Sequence, residues 1–132
     1  MITNFSVKTA KKNQLVNITS SVREAVGSSG VQEGLCTVYV PHTTAGITIN
    51  EAADPAVAKD ILFEIDKIVP FDDRYSHSEG NSAAHIKASL IGSSCQIPVT
   101  KGNLGLGTWQ GIFFCEFDGA RNRTVDVCVL GN

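Results

Sequence analysis

The chain has 132 residues, 13 of them acidic and 11 basic, for a formal net charge of −2. That length suits one domain and falls short of the roughly 200 residues a TIM barrel needs. The near balance of charge lacks the basic excess usual in nucleic-acid binders. The N-terminal stretch Met1-Ile2-Thr3-Asn4-Phe5 has no basic-then-apolar leader, and no apolar run approaches the ~18 residues of a membrane span. A cytoplasmic protein without nucleic-acid or membrane partners is therefore expected. Cys36, Cys95, Cys115 and Cys128 stand apart in strand-like runs with no C-x-x-C pair, which reads as buried, reduced thiols.

Taken in chain order, Phe5 to Thr9 reads as a strand. A short helix is expected from Ser20 to Val26, with Ser21 and Glu24 at capping-box spacing and Gly27 as its stop. Leu35 to Val40 is β-branched and strand-like, and Gly46 to Asn50 alternates Ile47 and Ile49 against Thr48 and Asn50. Asp54-Pro55 starts a second helix, an N-cap followed by proline in the first turn. Its apolar stripe takes in Val57, Ala58, Ile61, Leu62, Ile65, Ile68 and Val69, and Pro70 ends it. Asn81 or Ser82 caps a third helix from Ala83 to Ile91, stopped by Gly92. Strands follow at Cys95 to Thr100, Thr108 to Phe117 and Thr124 to Leu130, with a glycine-rich turn at Gly102 to Gly107. About three helices among strands that dominate the last third give an α+β, mostly antiparallel pattern rather than βαβ alternation.

The chemistry-bearing residues cluster in a few places. The three histidines, His42, His77 and His85, all lie in polar or loop-like settings. Three imidazoles and a water make one ordinary zinc arrangement, although their spacing matches no ligand motif. Glu51 closes a strand and reads either as a carboxylate ligand or general base, or as a solvated strand end. Asp54 needs no role beyond the helix cap. On the strand ending Phe117-Asp118, alternation puts Phe113, Cys115 and Phe117 on a core face and Phe114, Glu116 and Asp118 on the other. Those two carboxylates could hold a cation or orient a histidine, or face solvent on an edge strand. Arg121 and Arg123 follow in a turn, suited to phosphate or to pairing with the nearby carboxylates. Lys101 and the glycines after it offer backbone amides that could cradle phosphate or form a plain hairpin. Trp109 could stack on a flat heterocycle or fill a core or subunit contact.

Four segments together resemble the YjbQ family, also called the secondary thiamine-phosphate synthase family. They are Pro41-His42-Thr43-Thr44-Ala45-Gly46-Ile47-Thr48-Ile49-Asn50-Glu51, His77 with Asn81-Ser82-Ala83-Ala84-His85-Ile86-Lys87, Leu106-Gly107-Thr108-Trp109-Gln110, and Glu116-Phe117-Asp118-Gly119-Ala120-Arg121. Their order and spacing span the chain from about Phe5 to Gly131; Ala120 departs from the family's usual proline. The resemblance implies an α+β sandwich on antiparallel sheet and a homotrimer with polar clefts near subunit contacts. It also implies a secondary activity that joins hydroxymethylpyrimidine diphosphate to a thiazole phosphate with loss of pyrophosphate. On that reading His42, Glu51, His77, His85 and Asp118 are the catalytic candidates. Asn50, Asn81, Lys101, Trp109, Gln110, Glu116 and Arg121 are the binding candidates for a small phosphorylated substrate. A divalent metal, zinc or magnesium, would sit on His42, His77 and His85 and neutralise the departing diphosphate. Two other readings stay open: a metal-dependent hydrolase of a small phosphorylated or heterocyclic substrate, and a non-catalytic trimer that binds a small ligand or a metal.

Overall fold

The computed structural model describes residues 1–132 as a two-sheet sandwich with three helices. The strands are β1 (Ile2–Lys8), β2 (Gln14–Asn17), β3 (Glu33–Tyr39), β4 (Ala45–Glu51), β5 (Ser94–Thr100), β6 (Asn103–Leu104), β7 (Gln110–Glu116) and β8 (Asn122–Gly131). The helices are α1 (Thr19–Ser29), α2 (Pro55–Ile68) and α3 (Ser82–Ile91). One sheet orders its strands β1-β8-β3-β5-β6 and the other β2-β7-β4. Every pairing is antiparallel, as the sequence pattern predicts.

The main core lies between the sheets. Val38, Ile97 and Val127 from the larger sheet meet Ile47, Ile112 and Phe114 from the smaller, and α1 adds Val22 and Val26. A second cluster forms on the outer side of the small sheet, where Ile65 of α2 and Ala84 and Ala88 of α3 pack on Cys115 and Phe117. The middle strand β7 is thus covered on both faces, which removes the alternative that Phe114, Glu116 and Asp118 face solvent along an edge strand. Phe114 and Glu116 are fully buried. No helix is long and apolar enough to cross a membrane.

Several boundaries differ from the sequence reading. Helix α1 begins at Thr19, where Asn17 Oδ1 accepts the Thr19 N–H at 3.0 Å, so the Ser21/Glu24 capping box is not used. The helix runs through Gly27 and stops at Gly30, whose φ of +71° is the left-handed cap that glycine adopts without strain. Asp54 does cap α2, accepting the Ala56 N–H at 2.9 Å, and Gly92 does end α3. Ile68, placed on the buried stripe of α2, is 65% exposed because only the Leu62–Ile65 side meets the sheet. Strand β2 carries no alternating pattern of its own and forms by pairing with β7. All four cysteines are free thiols.

Candidate active site

At one end of the sandwich β3 leads into β4, β7 turns into β8, and α3 begins. There an open cleft of about 500 Å³ is lined by polar residues, among them His42, His77, His85, Asn81, Asp118 and Arg121, with no Val, Leu, Ile, Met or Phe in its wall. Each element brings its residue for a local reason. Gly46 lets the end of α3 close on the start of β4, since a Cβ there would stand 2.7 Å from the Gly92 carbonyl oxygen. The Ile47 N–H donates to that same oxygen at 3.0 Å. The turn after β7 then folds two carboxylates back onto two arginines.

Those pairs are nested about the Gly119–Ala120 step. In the outer one, Arg123 Nε donates to Glu116 Oε1 at 2.8 Å and an Arg123 terminal N–H donates to Glu116 Oε2. Arg123 is 6% exposed and Glu116 0%. The remaining capacity of this buried pair is also used. Thr9 Oγ donates to Glu116 Oε1 at 2.8 Å, the Asp118 N–H donates to Oε2 at 3.0 Å, and Thr44 Oγ accepts from Arg123 at 2.9 Å. Burial alone would raise the Glu116 pKa, but the Arg123 guanidinium, the Asp118 N–H and the Thr9 hydroxyl outweigh it and hold the carboxyl below its usual range. In the inner pair, Arg121 donates to Asp118 Oδ2 at 3.0 Å and Asn81 Nδ2 donates to the same oxygen at 3.0 Å. Burial again works to raise the Asp118 pKa, and the Asn81 and Arg121 hydrogen bonds bring it below the ordinary value.

His42 has a defined orientation. Its Nε2 accepts the Thr124 N–H at 3.0 Å, which occupies the lone pair that would take a second proton and leaves Nδ1 carrying the hydrogen. Burial, followed by the nearby Arg123 guanidinium, pushes its pKa below the ordinary value. His42 is thereby a neutral N–H donor facing the cleft. His77 and His85 stack edge to face with ring centroids 5.4 Å apart, and Glu79 lies 4.0 Å from His77 Nε2. No three His, Cys, Asp or Glu side chains are gathered as a metal-ligand set. With His42 Nε2 engaged and the Glu116 and Asp118 carboxylates both on arginines, the side chains as arranged do not fit a resident ion on the three histidines.

The other sequence candidates lie elsewhere. Ala45 pairs with Glu116 at the cleft end of the small sheet, whereas Glu51 pairs with Gln110 at the opposite end, about 20 Å along the strands. Asn50, Glu51, Trp109 and Gln110 therefore form a separate group. Glu51 lines a groove between α2 and β2, and Trp109 is 63% exposed in the turn before β7 rather than within a strand. Lys101 also lies at the far end, since Thr100 pairs with Glu33 while Ser94 pairs with Tyr39 just before His42. The amides after β5 are not free for phosphate: the Lys101 N–H donates to Glu33 Oε1, Gly102 to the Gln32 carbonyl, Gly105 to Pro98 and Gly107 to Gln110 Oε1. Lys101-Gly102 is a tight hairpin turn with φ of 52° and 76°. Thr9, Thr44 and the buried Lys87 are not among the candidate site residues read from the sequence, although Thr44, two residues after His42, and Lys87 both lie in the motif segments.

The residues from 3 to 132 match the family model described as UPF0047 protein YjbQ-like. A UPF0047 protein of Methanocaldococcus jannaschii is 48% identical over all of this chain and 96% of its own length. UPF0047 protein YugU of Bacillus subtilis is 46% identical over 99% of this chain and all of its own. Among solved structures, an uncharacterised YjbQ/UPF0047 protein of Clostridium acetobutylicum superposes with a TM-score of 0.95 at 55% identity, covering 97% of this chain and 99% of that one. A protein of Sulfolobus solfataricus described as of unknown function gives a TM-score of 0.96 at 36% identity, covering 100% and 97%. From the four motif segments, the antiparallel sandwich and these likenesses over the whole length, the chain belongs to the YjbQ (UPF0047) family.

Proposed function

We propose that the histidine cleft is the site of a transferase acting on a small phosphorylated substrate, of the thiamine-phosphate synthase type and as a secondary activity. The observation that carries this reading is the gathering of the His42 Nδ1 donor, the half-exposed Arg121 guanidinium and the His77–His85 pair around one wholly polar cleft. In the reaction, the C–O bond between a pyrimidine methylene and diphosphate breaks, the thiazole nitrogen supplies the electron pair for a new C–N bond, and pyrophosphate leaves with the C–O electrons. Charge therefore grows on the departing oxygen. Pre-placed N–H donors in a fixed site stabilise such charge without reorganisation. Arg121 uses Nε and one terminal nitrogen on Asp118, which fixes the guanidinium plane and leaves its other N–H groups for phosphate. The histidine pair can deliver a proton to the leaving group.

The zinc or magnesium expected from the three histidines has no part in these steps. Elemental analysis of untagged protein tests it: about one ion per chain, lost in a His77→Ala, His85→Ala variant, would give these two side chains a metal role despite the arrangement described. The expected homotrimer is part of the same reading, and the uncovered face of the larger sheet supports it. Leu35 pairs with Leu130 there, and both are exposed, as are Ile2 and Tyr39. A cytoplasmic setting agrees with four free thiols.

The test is to supply hydroxymethylpyrimidine diphosphate and thiazole phosphate to the purified protein and measure thiamine phosphate and pyrophosphate. Condensation is expected, with kcat/KM falling about a hundredfold in Arg121→Ala, the usual effect of losing one charge-stabilising donor. Hydrolysis of the diphosphate without ligated product would replace this reading with the hydrolase. Binding without turnover would leave a ligand-binding trimer.

A further inference from the structure

Asn81 stands at the N-cap of α3, where asparagine ordinarily turns its side-chain oxygen onto the N–H groups of the first turn. It does not do so here. Its φ of −121° and ψ of 24° are not the extended backbone usual for a capping residue, and it makes no side-chain cap bond. Asp54, at the same position of α2, has φ of −108° and ψ of 110° and accepts the Ala56 N–H at 2.9 Å. The chain therefore builds a regular cap where nothing competes for the side chain.

The forgone cap leaves two polar groups open. Asn81 Oδ1 is buried and accepts no hydrogen bond, the one such side-chain atom in the chain. The Ala83 N–H, which a capping oxygen would take, has no partner either, although Ala83 is 3% exposed. Buried polar groups without partners cost stability, and native structures seldom keep them without a reason. Turning the amide over would not help, because it would set oxygen against the Asp118 carboxylate.

The reason lies across the cleft. Asn81 Nδ2 donates to Asp118 Oδ2 at 3.0 Å, the same oxygen that takes an Arg121 terminal N–H at 3.0 Å. These are the only two hydrogen bonds to the Asp118 carboxylate, so Asn81 alone holds it from the side away from Arg121. The Asn81 backbone carbonyl meanwhile accepts the N–H of Ala84 at 3.1 Å and of His85 at 3.4 Å. One residue thus joins the turn that carries Arg121 to the helix turn that carries His85.

We propose that Asn81 is a positioning residue of the cleft: it gives up its helix cap to hold Asp118, and through Asp118 it fixes the Arg121 guanidinium relative to His85 for a phosphate group. The inference deepens the transferase reading and rests on it for the role of that phosphate as leaving group. Asn81 acts through Asp118 and does not itself touch the substrate, since its Nδ2 is committed and its Oδ1 is buried.

Asn81→Ser tests the proposal. Serine caps helices as well as asparagine does, and its side chain is one bond too short to replace Nδ2 at Asp118. Three quantities are read on the full chain: Tm, the Kd for inorganic pyrophosphate by calorimetry, and the Arg121 Nε–H signal by NMR. The expected result is a Tm equal to or above the parent's, a pyrophosphate Kd weakened about tenfold or more, and an Arg121 signal moved toward that of free arginine. A merely structural bond would lower Tm and leave the Kd and the Arg121 signal unchanged. That result would overturn the proposal, as would a raised Tm with both unchanged. Asn81→Asp is the second variant, equal in size and a good cap but unable to donate to Asp118 at neutral pH. Should Asn81→Ser fail to fold, the same loss of affinity in folded Asn81→Asp upholds the proposal and parent-like binding overturns it. Affinity lost in both variants of a protein that makes no thiamine phosphate would keep the positioning role and remove the transferase. Condensation and pyrophosphate binding unaltered in both would do the reverse. No pyrophosphate binding by the parent would overturn both.

Discussion

Replacing Arg123 by Met tests the electrostatic account of the cleft floor. The change keeps the length of the buried side chain and removes the cation, so Glu116, at 0% exposure, keeps only the Thr9 hydroxyl and the Asp118 N–H as donors. Breaking a buried pair from one side costs about 3–5 kcal/mol. An independent bound comes from protonation. A carboxyl with an unfolded pKa of about 4.3 can be made neutral at pH 7 for roughly 3.7 kcal/mol, at 1.36 kcal/mol per unit, so the charge-related cost stops near that figure. For a chain of this size the loss should lower Tm by roughly 10–20 °C.

The pH dependence separates this account from a simple packing defect. In the parent protein Glu116 and Asp118 both have depressed pKa values. Their stabilisation is full above the unfolded carboxylate pKa and is lost as pH falls through the folded one. In Arg123→Met the Glu116 pKa is raised instead, because burial is no longer outweighed. Its folded form is then favoured at low pH and loses stability as pH rises above about 4.3. The gap between variant and parent should therefore shrink by about 2.7 kcal/mol between pH 7 and pH 5. Urea unfolding followed by far-UV circular dichroism at fixed protomer concentration measures it; the single tryptophan, 63% exposed at the other end, is a poor reporter. An Arg123→Met, Glu116→Leu double variant should recover most of the loss, since a buried pair replaced by apolar groups is often neutral. A cost below about 1 kcal/mol at pH 7, or a gap independent of pH, would refute the reasoning.

Three further outcomes follow from the same geometry. The His42 imidazole should titrate by NMR with a midpoint below 6.5, since burial and then the nearby Arg123 guanidinium disfavour its charged form. Burial pushes the Cys36 and Cys95 thiols up to about 11 and the Cys115 thiol to about 12, so these three should resist iodoacetamide at pH 8 in the folded protein and react on unfolding. A Leu130→Asp change on the uncovered sheet face should leave the protomer folded and yield monomer by light scattering; a trimer unchanged in mass would move the subunit contact elsewhere on the surface.

What the sequence revealed of the fold was what short-range rules govern. Asp54-Pro55 and Gly92 mark helix ends by local chemistry, and β3, β4 and β8 carry their own alternation. Strand β2 and the boundaries of α1 depend on partners distant in sequence: β2 on β7, and the start of α1 on Asn17 Oδ1 and on the bond from the Ile112 N–H to Thr19 Oγ. The candidate site divides along the same line. The carboxylates and arginines of Glu116-Phe117-Asp118-Gly119-Ala120-Arg121-Asn122-Arg123 sit at matching distances from the Gly119–Ala120 step, so a chain reversal there dictates both pairs. Periodicity alone left Glu116 open to a solvent face, because it does not tell an edge strand from one covered on both sides.

Separation along a strand works the other way. His42 and Glu51 are neighbours in one motif, yet β4 carries them to opposite ends of the sandwich, while His42, His85 and Asp118 converge from distant parts of the chain. A motif therefore names residues whose chemistry matters without assigning them to one site. If Glu51 and Trp109 act on the same substrate as the histidines, about 20 Å along the strands must be spanned, and within one chain nothing moves them closer. An Arg121→Ala protomer mixed with a Glu51→Gln protomer decides the point. Activity restored in mixed oligomers above either parent would show sites built between copies. Arg121→Ala inactive with Glu51→Gln fully active would confine the chemistry to the histidine end, where His42, His77, His85 and Arg121 line one cleft.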